Sequence, residues 1–509
     1  MSEAGYTWLL FVGYLVFAAW SGVRWRSGGR SFASYSIGSR AVSPLWIGAS
    51  VAAAATSSAT FVINPGLVYL YGWSGFVAIF AASSLGFFVG LAFFSKSFRR
   101  IGDRVEALTV PQWIGDRFAS DRLKVFFALL SLLQVAYLVL IAVGIAVVLT
   151  KTLGLSSLAA LTLIVGVTSA YILLGGASTH VMTSSGQALV MLVVAALMVG
   201  SGASYLLLGP EALFERLREV GPHYASVTNP DSQLYRNLFE TLVAQFVVGF
   251  VATLLPHLIS KSLFLRSERD VNRYLTTAIV AILIFKSVLL AGLFARLRLP
   301  GDLLPPDQVM ATYVVEVFSP FVRALITLGI VAAGLSTMEG ILLSLSSIVS
   351  NDLWGTLSRS RGDRGERERR SLVVARVFLL VLVPVTIYLG YRQIVAPSLS
   401  VIIFALNGVL GWTAASFVPI LIGVYFKRAP IGWLAAASLT GLVVHFGIVL
   451  FELLPMHDNP MVPATYAVVA STVVGALGLV VARDRFVRAE RLTAAKIESS
   501  SPEPAEGRG

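Results

Sequence analysis

Thirteen apolar runs, each long enough to cross a bilayer, dominate this sequence and leave little chain for anything else. They lie at about 6–22, 43–71, 74–95, 123–150, 155–174, 186–208, 239–260, 274–296, 319–350, 372–391, 397–426, 430–453 and 463–482. A membrane-spanning helix needs about 20 such residues. The composition agrees: 56% of residues are hydrophobic and only 13% charged, about half the charged share a soluble surface requires. The chain is therefore expected to be an all-α integral membrane protein. The first run is followed by Arg24, Arg26, Arg30 and Arg40 without a small-residue cleavage site, so it reads as a retained helix, not a signal peptide.

The net charge of +12 suggests nucleic-acid binding until the basic residues are placed. With the amino terminus outside, thirty of the 39 lysines and arginines fall in inner loops and ends. Eight fall outside: Lys151, Arg216, Arg218, Arg236, Arg296, Arg298, Arg323 and Arg392. Lys286 alone is left within a span. Basic residues collect on the cytoplasmic side, so the carboxyl terminus is expected there and the charge reports topology, with no nucleic-acid partner. Arg359–Arg370 reads as a solvated inner connection and 483–509 as a disordered cytoplasmic tail. The outer loops at 209–238 and 297–318 are long enough to carry structure.

Two of the spans carry interruptions. The run 43–71 contains Thr56-Ser57-Ser58-Ala59-Thr60 and then Asn64-Pro65-Gly66, and the run 239–260 contains Pro256-His257. Such breaks are costly in a membrane unless the freed backbone faces protein, water or a ligand. They stand five spans apart, so spans two to six and seven to eleven form two copies in opposite orientations, each opening with a broken helix. Paired breaks in inverted halves point to the binding site of a secondary transporter. The expected division is 1–42 (first helix and inner loop), 43–208 (repeat 1), 209–238 (outer loop), 239–426 (repeat 2), 427–482 (spans 12 and 13) and the tail. A third polar cluster, Gly334-Leu335-Ser336-Thr337-Met338-Glu339-Gly340, lies in the ninth span. Its hydroxyls either bond back to the preceding turn or join freed carbonyls in an all-oxygen cage for a hard cation such as sodium.

Rival classes find less support. The five histidines, His180, His223, His257, His445 and His457, show no metal-binding spacing, and no phosphate loop or nucleophile elbow is present, so an enzyme or ATP-driven pump is not expected. A solute channel and a transporter-like sensor remain as alternatives from other classes. His257 reads as a helix-end residue with a possible substrate contact. The absence of cysteine removes thiolate chemistry.

Six segments in order resemble the sodium:solute symporter family: YSIGSR, TSSATFVINPG, LLGGASTHVMTSSGQ, ATLLPHLI, GLSTMEGILLSLSSIVSNDLW and NGVLGWTAASFVPILIGVYFKR. The resemblance runs from about Tyr35 to Lys427. It implies an inverted five-helix repeat of the amino-acid/sodium symporter type, alternating access, and sodium as coupling ion with no organic cofactor. Proton coupling on the same fold is the alternative. The shared sodium site maps onto the carbonyls of Ala53, Thr56 and Ala333 with the hydroxyls of Ser336 and Thr337. A small-molecule substrate is expected near Ser57, Ser58, Tyr137, Gln245, Ala252 and Trp412, in a multi-pass protein of the inner cell membrane with no obligatory protein partner.

The departures narrow the substrate. Proline-type members carry an aspartate at the place of Ala55 and aromatics at Val248 and Ala252, which argues against proline. The outer-loop text PPDQVMATYVVEVFSPF resembles pantothenate and monocarboxylate carriers, and an anionic substrate suits the positive ends of half-helices. A small carboxylate is expected. Many members also hold an acid at the place of Ser184. Here the acid is Glu339, on the ninth span. A carboxylate inside a membrane helix costs about 2.5–3.5 kcal/mol and marks function by default. Glu339 with Ser184 is therefore a candidate for a second cation or proton site, against the alternative of an ion pair with Lys286.

Overall fold

The computed structural model describes residues 2–25, 31–38, 40, 42–299, 303–358, 364–396 and 399–488. The principal helices in chain order are α1 (Glu3–Arg24), α2 (Pro44–Ala55), α3 (Ile63–Tyr71), α4 (Trp73–Arg104), α5 (Asp121–Leu153), α6 (Ser157–Gly200), α7 (Phe239–Ala252), α8 (Pro256–Phe264), α9 (Asp270–Arg298), α10 (Pro320–Leu357), α11 (Gly365–Val395), α12 (Ala405–Tyr425), α13 (Ile431–Phe451) and α14 (Met461–Val481). Ten of them are each long and apolar enough to cross a membrane. The thirteen apolar runs map onto this set in three ways. The second run is split into α2 and α3, the seventh into α7 and α8, and the fifth and sixth are two helices joined directly at a kink at Gly176, described together as α6. Among the described residues the only strands are a two-stranded antiparallel pair, Phe426–Arg428 with Val487–Arg488.

The sequence places the first break differently from where it falls. α2 ends at Thr56, with φ −113° and ψ 84°, and Ser57 is extended. A single turn, Ser58–Phe61, follows before α3. Pro65 and Gly66 lie within the first turn of α3 and break nothing. A proline there loses no bond, because first-turn N–H groups have no helical acceptor. The helix ends instead at Thr56 and Ser57, where the Thr56 N–H turns to the Ala53 carbonyl and neither hydroxyl caps the backbone. Gly66 has another role: a methyl on it would overlap the carbonyl of Pro306, where the helix Pro306–Val317 crosses α3. The seventh run breaks as expected at Pro256. Leu255 leaves the helical region (φ −52°, ψ 133°), Pro256 opens α8, and the two halves meet at 58°.

The stretch expected as a connection after the fifth span is helical. α6 runs through it and kinks only at Gly176 (φ 57°, ψ −140°), a conformation that favours glycine. A side chain there would also strike the Tyr35 backbone. Tyr35 in turn reaches across to α10, Oη to Ser346 Oγ at 3.0 Å.

α10 is enclosed on nearly every side, whereas α1, α11, α13 and α14 present exposed apolar residues such as Val16, Leu380, Val443 and Val480. An apolar outer ring is what a bilayer requires. α4 and α7 pack backbone against backbone: a methyl on Gly86 would overlap the Phe246 carbonyl, and one on Gly249 the Ser83 carbonyl. Small residues allow this approach in membrane helices. The two loops expected outside both carry helices, Pro210–Val220 and Pro306–Val317. On the basic side, the expected solvated loop is shorter than the sequence suggests, because α11 already begins near Arg364. Residues 359–363 of that loop and 489–509 of the tail lie outside the described residues.

Candidate ion and substrate site

The end of α2 and the middle of α10 meet in a cluster of neutral oxygens. Ser336 Oγ donates toward the carbonyl of Ala53 at 2.9 Å and that of Ala333 at 2.8 Å. Thr337 Oγ1 lies 3.1 Å from the Ala54 carbonyl and 3.3 Å from that of Ala333. All of these residues are buried. The structure thus gathers Ala53, Ala333, Ser336 and Thr337 and adds Ala54, which the sequence did not single out. Thr56, the fifth expected residue, is the buried cap of α2, and its own hydroxyl has no protein partner. Hydroxyls and carbonyls without a charged group suit a hard monovalent cation.

Beside the α2 break lies a cavity of about 220 Å³. Of the six expected substrate residues, Ser57, Tyr137, Gln245 and Ala252 line it. Ser58 and Trp412 do not. The Ser58 hydroxyl sits beside Gly144 and Gly334, and Trp412 is wholly buried with Nε1 donating to Ser131 Oγ at 3.1 Å. The side chain that sequence reasoning misplaced is Lys286. It lines this cavity, its Nζ donating to the Ile79 carbonyl at 3.1 Å. Ala55 and Val248, the positions that depart from proline-type members, line the same cavity, and among the described residues no aspartate or glutamate does.

Glu339 is therefore not the partner of Lys286. Its carboxylate is wholly buried and is approached by five donors. Tyr171 Oη and Gln187 Nε2 reach Oε1 at 2.5 and 2.6 Å. Thr183 Oγ1, His180 Nδ1 and Ser184 Oγ reach Oε2 at 2.5, 3.1 and 3.3 Å. Ser184 does lie beside Glu339 as expected, but in company that the sequence reading did not assemble. His180, Thr183, Ser184 and Gln187 recur at intervals of three, one and three on one helix, so they share a face. That periodicity was available within the HVMTSSGQ segment.

Lys261 also departs from expectation. Counted with the inner loops, it is buried at the end of α8, Nζ donating to Ser50 O at 2.7 Å and Ser50 Oγ at 2.8 Å. His257 sits at the start of α8, Nδ1 paired with Gln134 Oε1 at 3.3 Å, and it too lines the cavity. Among the described residues no group of three or more His, Asp or Glu side chains is placed to hold a metal ion.

The model of the sodium:solute symporter family matches residues 35–439. The chain belongs to this family. It is a transporter, not an enzyme. Among its relatives, the sodium/pantothenate symporter of Escherichia coli (strain K12) is 27% identical over 461 residues, covering 89% of this chain and 92% of that protein. The sodium/pantothenate symporter of Haemophilus influenzae is 26% identical over 428 residues, covering 83% and 84%. Among solved structures, a Na+-coupled sialic acid symporter in a substrate-bound outward-open state aligns with TM-score 0.74 at 18% identity, over 93% of this chain and 98% of that one. Mhp1, a nucleobase-cation-symport-1 family transporter, aligns with TM-score 0.53 at 16% identity, over 87% and 94%. These likenesses show the fold, the inverted-repeat transporter architecture that the paired breaks imply.

Proposed function

We propose that this protein couples sodium entry to the uptake of a small organic carboxylate by alternating access, with Lys286 binding the carboxylate. The observation that carries this reading is the sign of the cavity. Among the described residues one ammonium lines it and no acid does, and Ala55 stands where an aspartate marks proline-type members. A half-buried cation inside the membrane is costly without an opposite charge, so a carboxylate arriving there gains what Lys286 lacks. Ser57, Tyr137 and Gln245 supply hydrogen bonds for the rest of a polar cargo. Pantothenate, the cargo in the names of two full-length relatives, is an acid of this kind and is the first candidate.

Sodium is placed at Ala53, Thr56, Ala333, Ser336 and Thr337. This cluster holds no titratable side chain, which favours an ion over a proton. Ala54 and Ala55 lie on the cavity wall while the Ala53 and Ala54 carbonyls face α10. One helix end therefore serves both solutes, a short physical route to coupling. The division into repeats 43–208 and 239–426, the outer amino terminus and the cytoplasmic carboxyl terminus belong to the same proposal and rest on the paired breaks and the basic loops.

The test uses purified protein in proteoliposomes, with labelled pantothenate and a panel of monocarboxylates, neutral analogues and amines, with and without a sodium gradient. Sodium-driven accumulation of a carboxylate is expected, and its binding should weaken by about tenfold or more in Lys286→Met while stabilisation by sodium persists. Unchanged carboxylate affinity in that variant, or preference for an amine, overturns the assignment.

A further inference from the structure

A second, smaller cavity lies below the first, on the side of the basic connection between α4 and α5. Its volume is about 20 Å³, room for one water-sized group. Three of its buried lining atoms have no protein partner: Ser36 Oγ, Ser347 Oγ and His180 Nε2. Lys261 lines it as well. Two of the three ammonium hydrogens of Lys261 go to Ser50, and among the described residues no carboxylate lies within salt-bridge distance. Glu339 stands behind His180 and is already occupied by its five donors. An ionised Glu339 can only accept, so this contact requires the proton on His180 Nδ1 and leaves Nε2 as an acceptor. The free donors of this cavity therefore include an ammonium and the two buried hydroxyls of Ser36 and Ser347, a set that suits an anion.

The two cavities share one residue, His257, which lines both. Lys286 stands on one side of it and Lys261 on the other. We infer that Lys261, with Ser36 and Ser347, is an anion-binding station on the cytoplasmic exit path, receiving a carboxylate after it leaves Lys286. The inference rests on the carboxylate reading above. The same chemistry would accept a chloride ion, which is the other source of a small monovalent anion.

Membrane vesicles of both orientations test it, with labelled pantothenate presented to one face at a time. In Lys261→Met the KM at the cytoplasmic face is expected to rise about tenfold, while the outer-face KM and equilibrium binding stay within roughly twofold. Ser50→Ala removes the side-chain half of the tie, leaves the bond to the Ser50 carbonyl and the ammonium in place, and should leave the cytoplasmic KM unchanged. Replacing chloride by the bulkier methanesulfonate separates the sources. A cytoplasmic KM that follows chloride in the wild type but not in Lys261→Met assigns the site to chloride. Insensitivity to chloride with the raised KM assigns it to the cargo. An unchanged cytoplasmic KM with no chloride effect overturns the station and leaves a water site. Equal losses at both faces and in binding overturn it too, making Lys261 a structural tie to Ser50. If wild-type protein takes up no carboxylate, the parent reading falls by itself. The anion site is then judged by thermal stabilisation of wild type against Lys261→Met in sodium chloride and sodium methanesulfonate, and equal stability in all four conditions overturns it.

Discussion

Ser336 Oγ lies 2.9 Å from the carbonyl oxygen of Ala53, a contact spanning 283 residues of chain. It joins the last turn of α2 to the middle of α10, one helix from each proposed repeat. The same hydroxyl reaches the Ala333 carbonyl at 2.8 Å. A cation entering here has its oxygens already assembled. It needs only to turn hydroxyl hydrogens away and take the lone pairs, which keeps reorganisation small.

Removing both hydroxyls, Ser336→Ala with Thr337→Ala, deletes two of the five oxygens expected around sodium. Sodium-dependent uptake and the rise of Tm with sodium are both expected to vanish while the protein still inserts. Wild-type uptake by this double variant would show that sodium binds elsewhere.

Ala55 shares a cavity with Lys286, so Ala55→Asp puts an acid where a carboxylate cargo must sit. Carboxylate affinity should fall by about tenfold, through competition for the ammonium and repulsion of the cargo. Radioligand binding measures it. Tighter carboxylate binding would contradict the role given to Lys286.

Glu339→Gln exchanges one acceptor oxygen for a donor nitrogen in a pocket of five donors. Leaving buried donors unmatched costs about 1–3 kcal/mol, so a lower Tm is expected. The carboxylate oxygens are saturated by protein groups, so the sodium Hill coefficient should not change. A reduced Hill coefficient, read from uptake against sodium concentration, would instead restore a second cation at Glu339 and Ser184.

Gly66→Ala and Pro65→Ala separate two explanations of the same motif. A methyl on Gly66 overlaps the Pro306 backbone, so Gly66→Ala should sharply reduce the yield of monodisperse protein. Pro65→Ala, in the first turn of α3, should be close to neutral in Tm. The opposite ranking would mean that the proline is the hinge.

Much of the fold was legible because bilayer thickness fixes span length, and because two prolines and a hydroxyl run flagged the interrupted helices. What escaped were relations that need three dimensions. Pro65 looked like the break since proline usually is one, but position within a first turn decides its effect. An ion pair between Lys286 and Glu339 stood as the alternative because each was a lone charge in an apolar run, and spacing along a chain carries no information on which cavity a side chain enters. Lys261 sat close enough to arginines to pass as loop. The oxygens of Ser336 and Thr337 were readable through resemblance, whereas the Ala54 carbonyl, having no side-chain signal, was not. The partners of Glu339 repeat along one face of α6, a pattern visible only to a reader who already knows that this stretch is helical.

The glycine contact between α4 and α7 bears on how the cavity changes access. With no side chains between Gly86 and Phe246, or between Gly249 and Ser83, the two helices have nothing compressible at their crossing. Ser83 and Phe87 on one, and Gln245, Val248 and Ala252 on the other, form a continuous side of the cavity. That side behaves as a single slab. In the alternating access proposed above, this side would move as one against the helices opposite, which carry Tyr137 of α5 and Lys286 of α9, and a wedge between the two would stall the cycle without touching either solute.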